Sequence, residues 1–113
     1  MKKIKTLKMN YEFKNVFSKG KYYVGSQIIT YILTNKYQYN RIGIAISSKL
    51  CNAVKRNHIK RLVRAAYQNF KIDNSKSVDI VFIWNKKADI EEASYHKIYE
   101  NMKKAFLRAG IIE

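Results

Sequence analysis

Between Cys51 and Lys71 the chain places Lys55, Arg56, His58, Lys60, Arg61, Arg64 and Lys71, with no carboxylate among them. Wound as a helix at about 100° per residue, Arg56, Asn57, Lys60, Arg61 and Arg64 share about 140° of arc. A solvated helix face normally mixes signs and gains i,i+4 ion pairs. Here Arg56, Lys60 and Arg64 stand one above another and repel at each step. Arginine is also the scarcer cation. The chain has 18 Lys and 5 Arg, yet three of the five Arg fall within nine residues. A planar guanidinium fork suits bidentate contact with phosphate or base edges. Asn57, a mediocre helix former, sits in the middle of this face and suits a specific hydrogen bond there. The chemistry implied is polyanion binding. A protein-borne reaction has little support: His58 and His96 lie far apart, the acids show no metal-ligand spacing, and Cys51 stands without a motif.

The whole chain carries the same bias. Its formal charge is +15 over 113 residues, and no acid occurs between Glu12 and Asp73. Residues 13–72 carry twelve Lys or Arg, while the remaining acids all lie from Asp73 onward. Such self-repulsion works against compaction, and a polyanionic partner offsets it. The charge spreads over strand-like and loop-like segments as well as one helix. That favours nucleic acid over a membrane surface. No apolar run approaches the roughly 20 residues of a membrane span. A single cysteine and the absence of a secretory pattern lead us to expect a soluble cytoplasmic domain.

The elements that must carry this face follow from periodicity. Residues 8–19 place Met9, Phe13, Val16 and Phe17 at helical spacing, with Asn10 as N-cap and Gly20 as stop. Residues 22–34 read as two strand pieces broken at Gly25, and 35–40 as a polar turn. Residues 41–48 alternate, with Ile42, Ile44 and Ile46 on one face and Gly43, Ala45 and Ser47 on the other. The small side chains on that second face leave room for something to approach closely. Residues 52–70 form a helix with Ile59, Leu62, Val63, Ala66 and Phe70 inward. Residues 78–84 form a buried strand, and 94–109 a helix with Ile98, Met102, Ala105, Phe106 and Ala109 inward. The fold class is α+β, with helices laid against one sheet in a single domain. Phe13, Phe17 and Tyr31 have two readings on these grounds, ordinary core or a stacking surface for single-stranded nucleic acid.

The stretch SSKLCNAVKRNHIKRLVRAAY closely resembles the signature helix of the bacterial ribonuclease P protein family. Its pattern is met by Lys49, Asn52, Ala53, Val54, Arg56, Asn57, Lys60, Arg61 and Arg64. Phe13, Val16, Phe17 and Gly20 resemble the family's N-terminal motif, and Tyr31 its strand aromatic. The segments RIGIAIS and VDIVFI are similar to the flanking strands. Four positions depart from the pattern: Ser48, Cys51, His58 and Ala65. The resemblance implies an α-β-β-β-α-β-α sandwich, a mostly antiparallel sheet and a left-handed crossover helix. It implies that the family partners a catalytic RNA and removes the 5′ leader of precursor tRNA, with the RNA and Mg²⁺ doing the chemistry. It assigns Lys49, Asn52, Lys55, Arg56, Asn57, Lys60, Arg61 and Arg64 to the catalytic RNA. Phe13, Phe17 and Tyr31 go to the single-stranded leader. No residue is assigned to catalysis or to a metal, and the protein is expected to act as a monomer within the ribonucleoprotein. The alternative class is a ribosomal or other structural RNA binder. A lone metal-dependent nuclease is disfavoured because no carboxylates cluster in the basic region.

Overall fold

The computed structural model describes residues 4–73 and 77–112. Helix α1 (Asn10–Lys19) is followed by strands β1 (Lys21–Val24), β2 (Ile28–Thr34) and β3 (Arg41–Ala45), helix α2 (Ala53–Tyr67), strand β4 (Val78–Trp84), a short 3₁₀ turn (Ile90–Glu92) and helix α3 (Tyr95–Ala109). This is the α-β-β-β-α-β-α order expected from the sequence, with one sheet at its centre.

The sheet order is β1-β2-β4-β3. Strands β1 and β2 pair antiparallel, as do β2 and β4, while β3 and β4 run parallel with α2 as their crossover. Strand β4 is therefore central although it comes last in the chain. Its sequence, VDIVFIW, lacks the polar alternation of a one-sided strand because both its faces are covered. The outer edge of β3 is also occupied: Leu7 N–H donates to the Ile42 carbonyl and Ile42 N–H to the Lys5 carbonyl, each at 2.9 Å.

The two faces of the sheet carry different layers. Ile28, Ile32, Ile42, Ile80, Phe82 and Trp84 pack against Ile59, Val63 and Ala66 of α2 and Ile98, Met102, Ala105 and Phe106 of α3. The stripes read from helical periodicity are the ones buried, with Leu62, Phe70 and Ala109 at the margin. On the opposite face a smaller cluster joins Leu7, Val16 and Val81, with Phe13, Tyr31, Leu33 and Ile83 around it.

Several local expectations are corrected. The N-cap of α1 is Met9, not Asn10. Glu12 makes the difference: its carboxylate accepts from the backbone N–H of Met9 at 2.8 Å and of Lys8 at 2.9 Å. It thus supplies the reaching-back half of a capping box without a polar N-cap side chain. Gly20 ends α1 in an extended rather than left-handed conformation (φ −78°). Glycine is needed there for space, since a Cβ would meet the Val16 carbonyl oxygen at 2.6 Å. The regular part of the third strand ends at Ala45, and α2 closes at Tyr67 rather than residue 70.

Candidate nucleic-acid interface

Helix α2 begins at Asn52, whose side-chain oxygen accepts from the Lys55 N–H at 2.9 Å. Asn52 is thus an N-cap, a structural task that does not preclude surface contact. Asn57, Arg61 and Arg64 are exposed, Lys49 is exposed ahead of the helix, and Lys60 is half-buried. Among the described residues no carboxylate lies at ion-pair distance from Arg61 or Arg64. Val54 is 79 % exposed and lies on the same stripe, three residues before Asn57 and seven before Arg61. A large apolar side chain left open beside two free guanidinium groups fits a surface made to be covered.

Two of the expected cations are directed elsewhere. Arg56 is half-buried, and its Nη1 donates to the Cys51 carbonyl at 2.8 Å. It sits about 20° of arc from Val63, at the edge of the core stripe. From there its guanidinium is drawn back to close the turn that leads into α2. Lys55 falls on the core side of the helix, and its Nζ lies 3.5 Å from Glu91 Oε2. The structure thus separates Lys55 from the exposed group of Asn57, Arg61 and Arg64. A carboxylate does stand near this part of the helix, brought from 36 residues away in sequence.

The face opposite α2 holds the aromatic group. Phe17 and Tyr31 meet edge-to-face with ring centroids 4.9 Å apart. Tyr22 joins from β1, its centroid 5.6 Å from that of Tyr31. The register explains the meeting: Tyr22, Tyr31, Val81 and Gly43 form one row across all four strands. Tyr22 is 62 % exposed and was missed by the sequence reading, because strand pairing is what places it. The next row, Val24, Ile29, Ile83 and Ala45, continues the surface as an apolar floor that α1 leaves partly uncovered. Phe13 lies deeper than Phe17. Its ring occupies the space above Gly43, where a Cβ would come within 2.5 Å of it. The space above Gly43 is thus filled by Phe13 and Leu7.

A half-buried ionic cluster ties α1 to this side of the sheet. The Arg41 guanidinium donates to Asp79 Oδ1 at 2.8 Å, to Asp79 Oδ2 at 2.7 Å and to Glu12 Oε2 at 2.5 Å. Asp79, and after it Glu12, holds Arg41 charged far above its ordinary range. The Glu12 carboxyl titrates below its usual value, chiefly because the Met9 and Lys8 backbone N–H groups bond its charged form, with Arg41 adding to the effect. The single cation offsets part of the charge of the two carboxylates and ties both to one place.

The described residues contain no group of three or more His, Cys, Asp or Glu that could hold a metal ion. None of their helices is long and apolar enough to cross a membrane.

A four-stranded α+β sandwich with an open cationic helix on one side and an aromatic surface on the other defines a small polyanion-binding domain. Comparison with known proteins gives its family. Residues 1–110 match the Ribonuclease P family model. The chain is 32 % identical over 110 residues to the ribonuclease P protein component of Thermoanaerobacter sp. (strain X514), covering 97 % of this chain and 93 % of that one. It is 38 % identical over 112 residues to that of Bacillus cereus (strain B4264), covering 98 % and 96 %. The structure of the Staphylococcus aureus RNase P protein superposes with a TM-score of 0.80 at 28 % identity, over 98 % of this chain and all of the other. The chain belongs to the ribonuclease P protein family, the protein subunit of the bacterial enzyme that processes the 5′ end of tRNA.

Proposed function

We propose that the chain acts as a non-catalytic subunit with two RNA surfaces. The exposed arc of α2, with Lys49, Asn52, Asn57, Lys60, Arg61 and Arg64, takes the phosphates of the catalytic RNA. Arg56 supports that arc by holding the turn at Cys51, and Lys55 contributes charge from its flank. The row formed by Phe17, Tyr31 and Tyr22, backed by Phe13, takes the single-stranded leader of precursor tRNA.

The observation that carries this reading is the exposure of Arg61, Arg64 and Val54 on a helix whose other side buries Ile59, Val63 and Ala66. Bound phosphates release counterions, so affinity falls steeply with salt. A leader of variable sequence is better held by stacking and backbone contacts than by base-edge readout. In this reading Mg²⁺ is held by the RNA components, and the RNA carries out bond cleavage. The protein works as one copy per holoenzyme, in the cytoplasm, and its charge screens the approach of two polyanions.

Reconstitution at low Mg²⁺ tests this. Precursor tRNA is incubated with a bacterial ribonuclease P RNA, with the protein, and with both. Cleavage at the mature 5′ end that needs both components is the expected result. Cleavage by protein alone overturns the assignment of chemistry to RNA. Tight RNA binding without stimulation returns the chain to the structural RNA binders.

A further inference from the structure

The β2–β3 turn, residues 35–40, reads in the sequence as merely polar, yet it carries two large exposed rings. Tyr37 is 48 % and Tyr39 42 % exposed, and their centroids lie 5.6 Å apart with planes tilted by 31°. Each ring has its own cation. The Arg41 guanidinium lies 4.3 Å from the Tyr37 centroid, and Lys5 Nζ lies 5.1 Å from that of Tyr39.

The turn is also held in place. Asn35 Nδ2 donates to Asp79 Oδ1 at 2.8 Å and to the Tyr39 carbonyl at 3.3 Å, while Asn35 Oδ1 accepts from Tyr37 N–H at 3.0 Å. At the other end Asn40 Oδ1 accepts from Val78 N–H at 2.9 Å. One asparagine thus ties the backbone of both tyrosines to Asp79, the buried partner of Arg41.

We propose that Tyr37 and Tyr39 form a stacking platform for an unpaired nucleobase of RNA, separate from the aromatic row of Phe17, Tyr31 and Tyr22. Rings fixed before binding lose little conformational entropy when a base covers them, and stacking tolerates any base. A cation on a ring draws on its π density and favours contact with the electron-rich ring of a base. Lys5 and Lys36 supply charge for the adjoining phosphate, and the nearest acids, Glu12 and Asp79, are both bonded to Arg41. The platform lies beyond the Leu33–Asp79–Arg41 row. That row is four residues, about 13 Å, along β2 from the apolar floor at Ile29.

The ligand chemistry is the same whether the base belongs to the catalytic RNA or to the leader, and two arms separate the sources. Affinity of the wild type and of Tyr37→Ala/Tyr39→Ala is measured for the catalytic RNA alone. In the reconstituted holoenzyme it is measured for precursor and for mature tRNA. A loss of about tenfold or more in one arm is expected, with Tyr37→Phe/Tyr39→Phe keeping wild-type affinity. Loss towards the catalytic RNA names it as the source, and loss towards precursor but not mature tRNA names the leader. Losses below threefold in both arms, at unchanged melting temperature, overturn the platform.

Should the alanine variant fold poorly, wild-type protein is irradiated with RNAs carrying 5-iodouridine in unpaired segments and the adducts are mapped. Adducts at Tyr37 or Tyr39 are expected, and adducts confined to other residues overturn the proposal. The inference rests on RNA being the partner. Wild-type protein that binds RNA but fails to stimulate cleavage sinks the ribonuclease P reading alone, because the catalytic-RNA arm still reads the platform.

Discussion

The two faces of the sheet are finished in opposite ways. Against α2 and α3 the face is sealed: Phe82, Phe106, Ile59, Ile80, Ile98 and Met102 are fully buried. Against α1 the face is only half covered. Val16 and Val81 are fully buried, but Phe17, Tyr22 and Val24 remain open within the same layer. A ten-residue helix cannot cover four strands. The sealed face can therefore carry the stability of the domain, while the open face keeps aromatic surface for a ligand. The cationic arc of α2 is a third case, a solvent side whose own core side lies in the sealed layer.

This contrast is breakable, and the largest effect falls on the sealed face. Phe106 packs against Tyr67, Phe70 and Phe82. Phe106→Ala is expected to lower stability by about 3–5 kcal/mol in urea unfolding. Tyr22→Ala on the open face should stay within about 0.5 kcal/mol. Equal losses would mean that the open face is core after all.

Gly43→Val comes next. Its side chain must displace the Phe13 ring that fills this space. A loss of about 1–3 kcal/mol is expected. Affinity for precursor tRNA should fall with it while affinity for the catalytic RNA holds. A loss confined to the catalytic RNA would separate Phe13 from the open face.

The clamp between the two predicts a pH dependence. The folded-state pKa of Glu12 lies below its ordinary 4.5. The stability it contributes is complete above that value and fades as pH falls through the folded-state pKa. Glu12→Gln should flatten this part of the acid-unfolding curve, read by circular dichroism, and leave the curve near pH 7 parallel to the wild type. An unchanged acid limb would show that Glu12 is not linked to folding.

The smallest effect on stability belongs to α2. Arg61→Ala and Arg64→Ala should each change stability by no more than about 0.5 kcal/mol. Each should lower the salt dependence of catalytic-RNA binding by about one unit of slope. Phe17→Ala should leave that slope intact and weaken precursor relative to mature tRNA. Interchangeable behaviour of the two sets would erase the distinction between the surfaces.

Much of the fold was legible without coordinates. The α2 and α3 stripes, the bounds of β4 and the break at Gly25 follow from periods of 3.6 and 2 and from turn chemistry, which are local properties. The family motif was legible for the same reason: its residues lie on one helix, where spacing alone fixes their mutual direction. The errors were also local in kind. Asn10 looked like a better cap than Met9 because the reciprocal bond from Glu12 uses the N-cap backbone rather than its side chain.

The chain of residues by itself determined the helix phases, the small face of β3 and the excess of positive charge. Only the tertiary structure decided that Arg56 turns back to Cys51, that Lys55 meets Glu91, that Tyr22 lies beside Tyr31 and that Arg41 sits on Tyr37. Each of these depends on where a guanidinium or ring finds a partner, or on which strand lies next to which. Periodicity sets the direction in which a side chain leaves its element, but packing sets what it meets.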